Sequence, residues 1–72
     1  MMEIAQALKA WREKEKISQE EVARKIGTRQ TIYSRYERGE QQPGSGVIKK
    51  IAETFHVSAD VLLGIDKTAW DA

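Results

Sequence analysis

Apolar residues recur at the spacing of a helix along most of the chain, and the alternating pattern that is typical of strands is nearly absent. Ile4, Leu8 and Trp11 lie at positions i, i+4 and i+7, which places them on one face of a helix. We therefore predict a chain built from helices, the first of which covers roughly residues 2–15.

A second helix is predicted by the segment Ser18-Gln19-Glu20-Glu21, which has the sequence of a capping box. In this motif the serine hydroxyl accepts a hydrogen bond from the backbone of the glutamate three residues later, and the glutamate carboxylate reaches back to the serine. Gly27 is placed to end the helix in the left-handed conformation. The residues expected to face inward are Val22, Ala23 and Ile26.

A third helix is expected directly after this glycine. Tyr33 and Tyr36, with Ile32 beside them, form its inner stripe, and Gly39 ends it. Residues 40–46 follow, and they are typical of a loop because they hold the only proline and two of the five glycines.

Two more helices complete the pattern. The fourth is marked by Val47, Ile48, Ile51, Ala52 and Phe55, and the short fifth one, between Ser58 and Gly64, by Val61, Leu62 and Leu63. The predicted fold is all-α, a compact five-helix domain over residues 1–64 with a C-terminal tail over residues 65–72.

The composition excludes several classes of protein. A chain of 72 residues is expected to form one domain. It has no cysteine and a single histidine, His56, which excludes a disulfide framework and a cysteine-bearing zinc site. No apolar run approaches the roughly 18 residues of a transmembrane helix. We expect a cytoplasmic protein with no metal, no cofactor and no membrane association.

Charge is distributed unevenly, although the net charge of the chain is only +1. Residues 24–38 contain five basic residues against one acid, a net charge of +4, whereas residues 53–72 contain four acids against one lysine, a net charge of −3. A positive face suits a protein that presents one side to a polyanion. Ordinary solvated helix surface would give the same counts, so charge alone leaves both interpretations open.

The segment from Gln19 to Arg38 has the spacing of a helix-turn-helix. Two helices that meet at about 90–120° need a small residue where their backbones approach and a glycine in the turn. Ala23 and Gly27, four residues apart, supply the two. A generic helical hairpin is the simpler alternative, but the combination favours a helix-turn-helix.

With these features the chain resembles the lambda-repressor-like family of helix-turn-helix DNA-binding proteins, the Xre and Cro type. The resemblance covers roughly residues 3–64 without gaps. It implies that the third helix enters the major groove of DNA while the second crosses the backbone. The matching segments are Trp11-Arg12, residues 17–23, Ile26-Gly27, Tyr36-Glu37-Arg38-Gly39, Pro43, Ile51-Ala52, Val57-Ser58 and Leu62-Leu63.

The resemblance implies base-contacting roles for Gln30, Thr31, Ser34 and Arg35 on the outer face of the third helix. Their chemistry suits that role, because glutamine pairs with adenine, arginine pairs with guanine, and threonine contacts the methyl group of thymine. An ordinary exposed polar face is the alternative. Phosphate-contacting roles are implied for Gln19, Arg29, Arg38, Gln42, Ser45 and Gly46, since exposed amides and helix starts attract anions.

Arg12 and Glu37 correspond to a pair that many members of the family keep as a buried salt bridge. Two independent solvated charges are the alternative. Desolvation would offset much of the attraction in a buried pair, but the loss of one partner would still be costly.

The chain departs from the family pattern at four positions. Lys16 and His56 replace glycines at helix ends, and Arg29 replaces the usual serine or threonine cap of the third helix. Tyr33 replaces a small aliphatic residue, which implies either a wider core or a third helix rotated toward Ile32.

The predicted function is sequence-specific binding of double-stranded DNA by a small transcriptional regulator. We expect a repressor that acts as a homodimer on a palindromic operator. An antitoxin or adaptor, whose helix-turn-helix mainly binds a protein partner, is the alternative. An enzyme is not expected, because the chain lacks a nucleophile–base pair, a metal cluster and a phosphate-binding loop. The residues predicted for the dimer surface are Val61, Leu62, Ile65 and Trp70.

Overall fold

Five helices make up the part of the chain that the computed structural model describes, residues 3–65. No strand occurs within these residues. None of the helices described has the length and apolar character that crossing a lipid bilayer requires. The all-α, five-helix prediction is confirmed. The helices are α1 (Ile4–Lys14), α2 (Gln19–Ile26), α3 (Gln30–Glu37), α4 (Ser45–Phe55) and α5 (Ala59–Leu62).

Helix α2 begins and ends at its predicted signals. The hydroxyl of Ser18, the N-cap, accepts a hydrogen bond from the backbone N–H of Glu21 at 3.0 Å. Gly27 at the other end has a left-handed φ of 79°, and the N–H of Thr28 donates to the carbonyl oxygen of Ala23 at 2.9 Å. This Schellman motif ends α2 and lets α3 begin after a turn of only residues 27–29.

Helix α4 begins earlier than the sequence predicts. Gly44 is its N-cap, and Ser45 and Gly46 are its first helical residues. The predicted loop over residues 40–46 is therefore wrong for its last two residues. Serine and glycine mark loops in a sequence, but they are also favoured at the N-terminal ends of helices, so the pattern could not separate the two.

Two residues other than glycine adopt the left-handed conformation. Lys16, after α1, has a φ of 59°, and His56, after α4, has a φ of 55°. These are the two positions at which the family pattern has glycine. A residue with a side chain adopts this conformation at a cost of about 1–2 kcal/mol, which glycine would not incur.

Tyr33 lies on the inward side of α3, within the core. It is fully buried, and its ring meets that of Tyr36 edge-to-face with the ring centroids 6.1 Å apart. Ile32 is only half-buried. Tyr33 and not Ile32 therefore faces the core, so the alternative of a helix rotated toward Ile32 is wrong. The buried cluster consists of Leu8, Trp11, Val22, Ala23, Tyr33, Tyr36, Ile48, Ile51 and Leu62.

The residues predicted for a dimer surface do not all lie on the surface. Leu62 is fully buried, because α5 packs against α1 and α4 through this side chain, so its assignment to the dimer surface is wrong. Val61 is half-buried, and Ile65 is 53% exposed. Trp70, with the rest of residues 66–72, lies outside the described residues.

Candidate nucleic-acid interface

The outward side of α3 forms a concave surface, and the cavity in front of it has a volume of about 320 Å³. It is lined by Gln30, Thr31, Ser34, Arg35 and Arg38. Their spacing explains this, because residues three or four apart are neighbours on one side of a helix. Ser34 is half-buried and the other four side chains are exposed. The structure thus brings together the four residues predicted to contact bases and one of those predicted to contact phosphate.

The inward side of α3 attaches this helix to α1. Tyr33, Tyr36 and Glu37 are buried there. Arg12 of α1 forms a bidentate ion pair with Glu37, in which Nε donates to Oε2 at 2.6 Å and Nη2 donates to Oε1 at 3.0 Å. The side chains of Arg12 and Glu37 are only 14% and 2% exposed, so the pair is largely removed from water.

Two further hydrogen bonds extend this ion pair to the start of α2. Nε2 of Gln19 donates to Oε1 of Glu37 at 3.0 Å, and Nη1 of Arg12 donates to the carbonyl oxygen of Ile17 at 2.9 Å. Gln19 is a predicted phosphate contact, and its bond to Glu37 uses one of the two N–H groups of its amide. The only signal for this second role of Gln19 is its place next to the cap of α2.

The pKa of Glu37 reflects two opposing effects. Burial raises it, but the hydrogen bonds from Arg12 and Gln19 and the positive charge of Arg12 outweigh burial, so the pKa lies below its ordinary value. The hydrogen bond to Glu37 in turn raises the pKa of Arg12. Both groups are therefore charged at neutral pH, and the contact between α1 and α3 is ionic.

We expect acid to remove the contribution of this carboxylate to stability. A group whose pKa is lowered by folding contributes fully above its unfolded-state pKa, about 4.3 for glutamate, and the contribution is lost as the pH falls through the lower folded-state value. Urea unfolding of the wild type and of Glu37→Gln from about pH 7 to about pH 2 measures this. The difference in unfolding free energy should be constant above about pH 5 and shrink below about pH 4. A difference independent of pH would contradict the ionic pair.

The other predicted phosphate contacts lie at helix starts. Arg29 is the exposed N-cap of α3, and its side chain makes no capping hydrogen bond. Gln42, Ser45 and Gly46 are exposed around the start of α4. The backbone N–H groups in the first turn of a helix have no partner within it, and the helix dipole there favours an anion.

Arg38 forms an ion pair with an acid in the turn that follows α3. Its Nε lies 2.8 Å from Oε2 of Glu40, and its Nη2 donates to Oε1 of Glu40 at 3.3 Å. Both side chains are 56% exposed. This pair is not predicted from the sequence, in which its only signal is an acid two residues after an arginine, across Gly39.

The exposed charge of residues 24–38 is entirely positive. The one acid among them, Glu37, is buried and paired with Arg12. Lys25 also lies over the ring of Phe55, with Nζ 5.7 Å from the ring centroid. The exposed basic side chains are Arg24, Lys25, Arg29, Arg35 and Arg38.

Two helices joined by a short turn, with a polar face outward on the second and a buried face inward, define a helix-turn-helix protein. The chain belongs to the helix-turn-helix family, whose family model, described as Helix-turn-helix, matches residues 8–62. The resemblance identified from the sequence is thereby confirmed. This is a family of transcription regulators and not of enzymes, in agreement with the sequence analysis.

Two relatives give this membership more detail. The HTH-type transcriptional regulator ImmR of Bacillus subtilis (strain 168) is 32% identical over 68 residues, which cover 94% of this chain and 54% of ImmR. The chain therefore spans about half the length of that relative. A similar solved structure is the crystal structure of the P22 c2 repressor protein in complex with synthetic operator 9T in the presence of Tl+. Its TM-score is 0.79 at 26% identity, and the match covers 92% of this chain and 100% of the repressor chain.

Proposed function

We propose that the protein binds double-stranded DNA sequence-specifically and acts as a transcriptional repressor. The observation that carries this proposal is the concave outward surface of α3, where Gln30, Thr31, Ser34 and Arg35 lie together. A helix presented in this way fits the major groove, and these side chains offer the donors, acceptors and methyl group that read base edges there.

The proposed contacts form two groups, those that recognise bases and those that bind the phosphate backbone. Gln30 suits adenine, Arg35 suits guanine and Thr31 suits the thymine methyl group, so these residues would carry the sequence preference. Phosphate contacts position the protein without reading sequence. That role falls to Gln19, Arg29, Arg38, Gln42, Ser45 and Gly46.

The proposal includes a homodimer on a palindromic operator, in the cytoplasm. A two-fold dimer reads two half-sites about 34–36 Å apart, one helical turn of DNA, and the operator then mirrors the symmetry of the protein. The P22 c2 repressor, to which 92% of this chain is similar, was crystallised with a synthetic operator. The regulator ImmR supports a role in transcription. Ile65 is the exposed apolar residue that we assign to the dimer contact.

A contrast between two arginines tests the proposal. Replacing Arg35 with Ala should remove about 1–3 kcal/mol of discrimination at one base pair, because the bidentate contact to a guanine is lost there. Replacing Arg38 with Ala should weaken binding evenly on all sequences and reduce the salt slope by up to about one, because a phosphate contact is lost. The measurement is a comparison of duplexes selected from a random pool, with titrations of single-base variants.

Each arginine variant is the matched control of the other, since both lose one exposed arginine from the same surface. If Arg35→Ala keeps the operator preference and only lowers the salt slope, the face of α3 that carries Arg35 does not recognise the bases. If the wild type selects no duplex from the pool, sequence-specific binding is wrong. A protein partner, the alternative raised by the sequence, would then be sought.

A further inference from the structure

Arg38 lies at the edge of the concave surface of α3 with a carboxylate already bound to it. The two oxygens of Glu40 contact Nε and Nη2 of Arg38, at 2.8 and 3.3 Å. A guanidinium binds the oxygens of a phosphate group through the same parallel pair of donors. Glu40 therefore occupies the donors that a DNA phosphate would need.

The backbone places Glu40 at this position. Gly39 has a left-handed φ of 75°, and the N–H groups of Glu40 and Gln41 both donate to the carbonyl oxygen of Arg35, at 3.0 and 3.3 Å. These bonds close the end of α3. The carboxylate is thus carried by a turn that the fold itself defines, and it is held within reach of Arg38.

We propose that Glu40 competes with DNA phosphate for Arg38 and so limits the part of the affinity that does not depend on sequence. This inference rests on the proposed function. When DNA binds, Arg38 exchanges the carboxylate for a phosphate, and the released Glu40 remains near the backbone with a charge of the same sign. The free energy needed to separate Arg38 from Glu40 is the same for every duplex. The base contacts of Gln30 and Arg35 are unaffected by it, so the sequence preference is retained while attachment to DNA in general is weakened.

The test is the variant Glu40→Gln, which keeps the shape of the side chain and removes its charge. We expect its affinity to rise about two- to fivefold, the range for exposed ion pairs, on the selected operator duplex and on an unrelated duplex of equal length. The slope of log K against log [salt] should steepen by up to about one, because in the wild type the released Glu40 takes up a cation. Glu53→Gln, which removes the same charge from an exposed position of α4, is the control and should leave both quantities unchanged.

A second pair of variants shows whether the effect passes through Arg38. In an Arg38→Ala background, Glu40→Gln should lose most of its gain, because there is no guanidinium left to release. An equal gain in both backgrounds would overturn the inference in favour of general charge repulsion. A gain on the operator alone would overturn it too, since Glu40 would then affect base reading. If the wild type binds DNA and Glu40→Gln binds equally well, the inference is wrong and the proposed function stands. If the wild type binds no duplex, the proposed function itself is wrong.

Discussion

Operator binding is expected to weaken by about 10³–10⁵-fold between about 50 and about 200 mM salt, for a dimer that neutralises roughly 6–10 phosphates. Each phosphate contact releases counterions condensed on the DNA, and this release is less favourable when the solution already contains many ions. The exposed charged side chains of residues 24–38 are all basic, and they supply the hydrogen-bond donors for the phosphates. Titration of the selected duplex at several salt concentrations, by fluorescence anisotropy, gives the slope.

Two single variants locate the origin of this salt dependence. Arg29→Ala should reduce the slope by about one, because Arg29 is an exposed phosphate candidate at the start of α3. Lys9→Ala removes a charge of the same sign from an exposed position of α1, outside the basic segment, and should leave the slope unchanged. A binding constant that stays flat over this range of salt would rule out the proposed basic surface.

Arg12→Ala is expected to lower the free energy of unfolding by about 3–5 kcal/mol, because it leaves a buried carboxylate without its charged partner. Glu37 is 2% exposed and would keep the hydrogen bond from Gln19 but lose both bonds from Arg12. The bond from Arg12 to the carbonyl oxygen of Ile17 would be lost as well. In a domain of this size about 1 kcal/mol corresponds to about 4–8 °C of melting temperature, so the loss should be plain in thermal unfolding followed by circular dichroism.

A double variant keeps this prediction testable even when Arg12→Ala does not fold. Arg12→Met combined with Glu37→Met removes both charges and retains most of the side-chain volume. Since a buried ion pair can often be replaced by apolar residues without loss, the double variant should recover most of the stability. An unchanged melting temperature for Arg12→Ala would show that the two charges are independent of each other.

The helices could be predicted because their signals are local. Ser18 and Gly27 mark the ends of α2 through hydrogen bonds that span only a few residues, and the structure shows both. The outward side of α3 also follows from the sequence, because the helical period alone determines which positions share a face. The predicted first helix, roughly residues 2–15, is slightly longer than the observed Ile4–Lys14, because the frayed ends of a helix carry the weakest sequence signal.

Features that depend on contacts between distant residues could not be predicted in the same way. A helix of four residues has too few positions to define a face, so the pattern could not tell that Leu62 is buried while Val61 is only half-buried. The bond from Gln19 to Glu37 joins residues 18 positions apart and appears only once α2 and α3 are packed. Likewise, a count of charges cannot show that Arg38 is engaged by Glu40, because that depends on the turn after α3.

The eight residues of α3 form an inner face and an outer face with separate purposes, and this has a consequence for how such a protein changes over generations. Tyr33, Tyr36 and Glu37 are committed to the interior, whereas Gln30 and Arg35 are exposed. Surface substitutions usually alter stability by no more than about 0.5 kcal/mol, so exchanges at the outer positions leave the scaffold folded. If α3 reads base edges as we propose, a lineage can change its target site one side chain at a time, without passing through unfolded intermediates. A library randomised at these outer positions should, by the same reasoning, consist mainly of folded members.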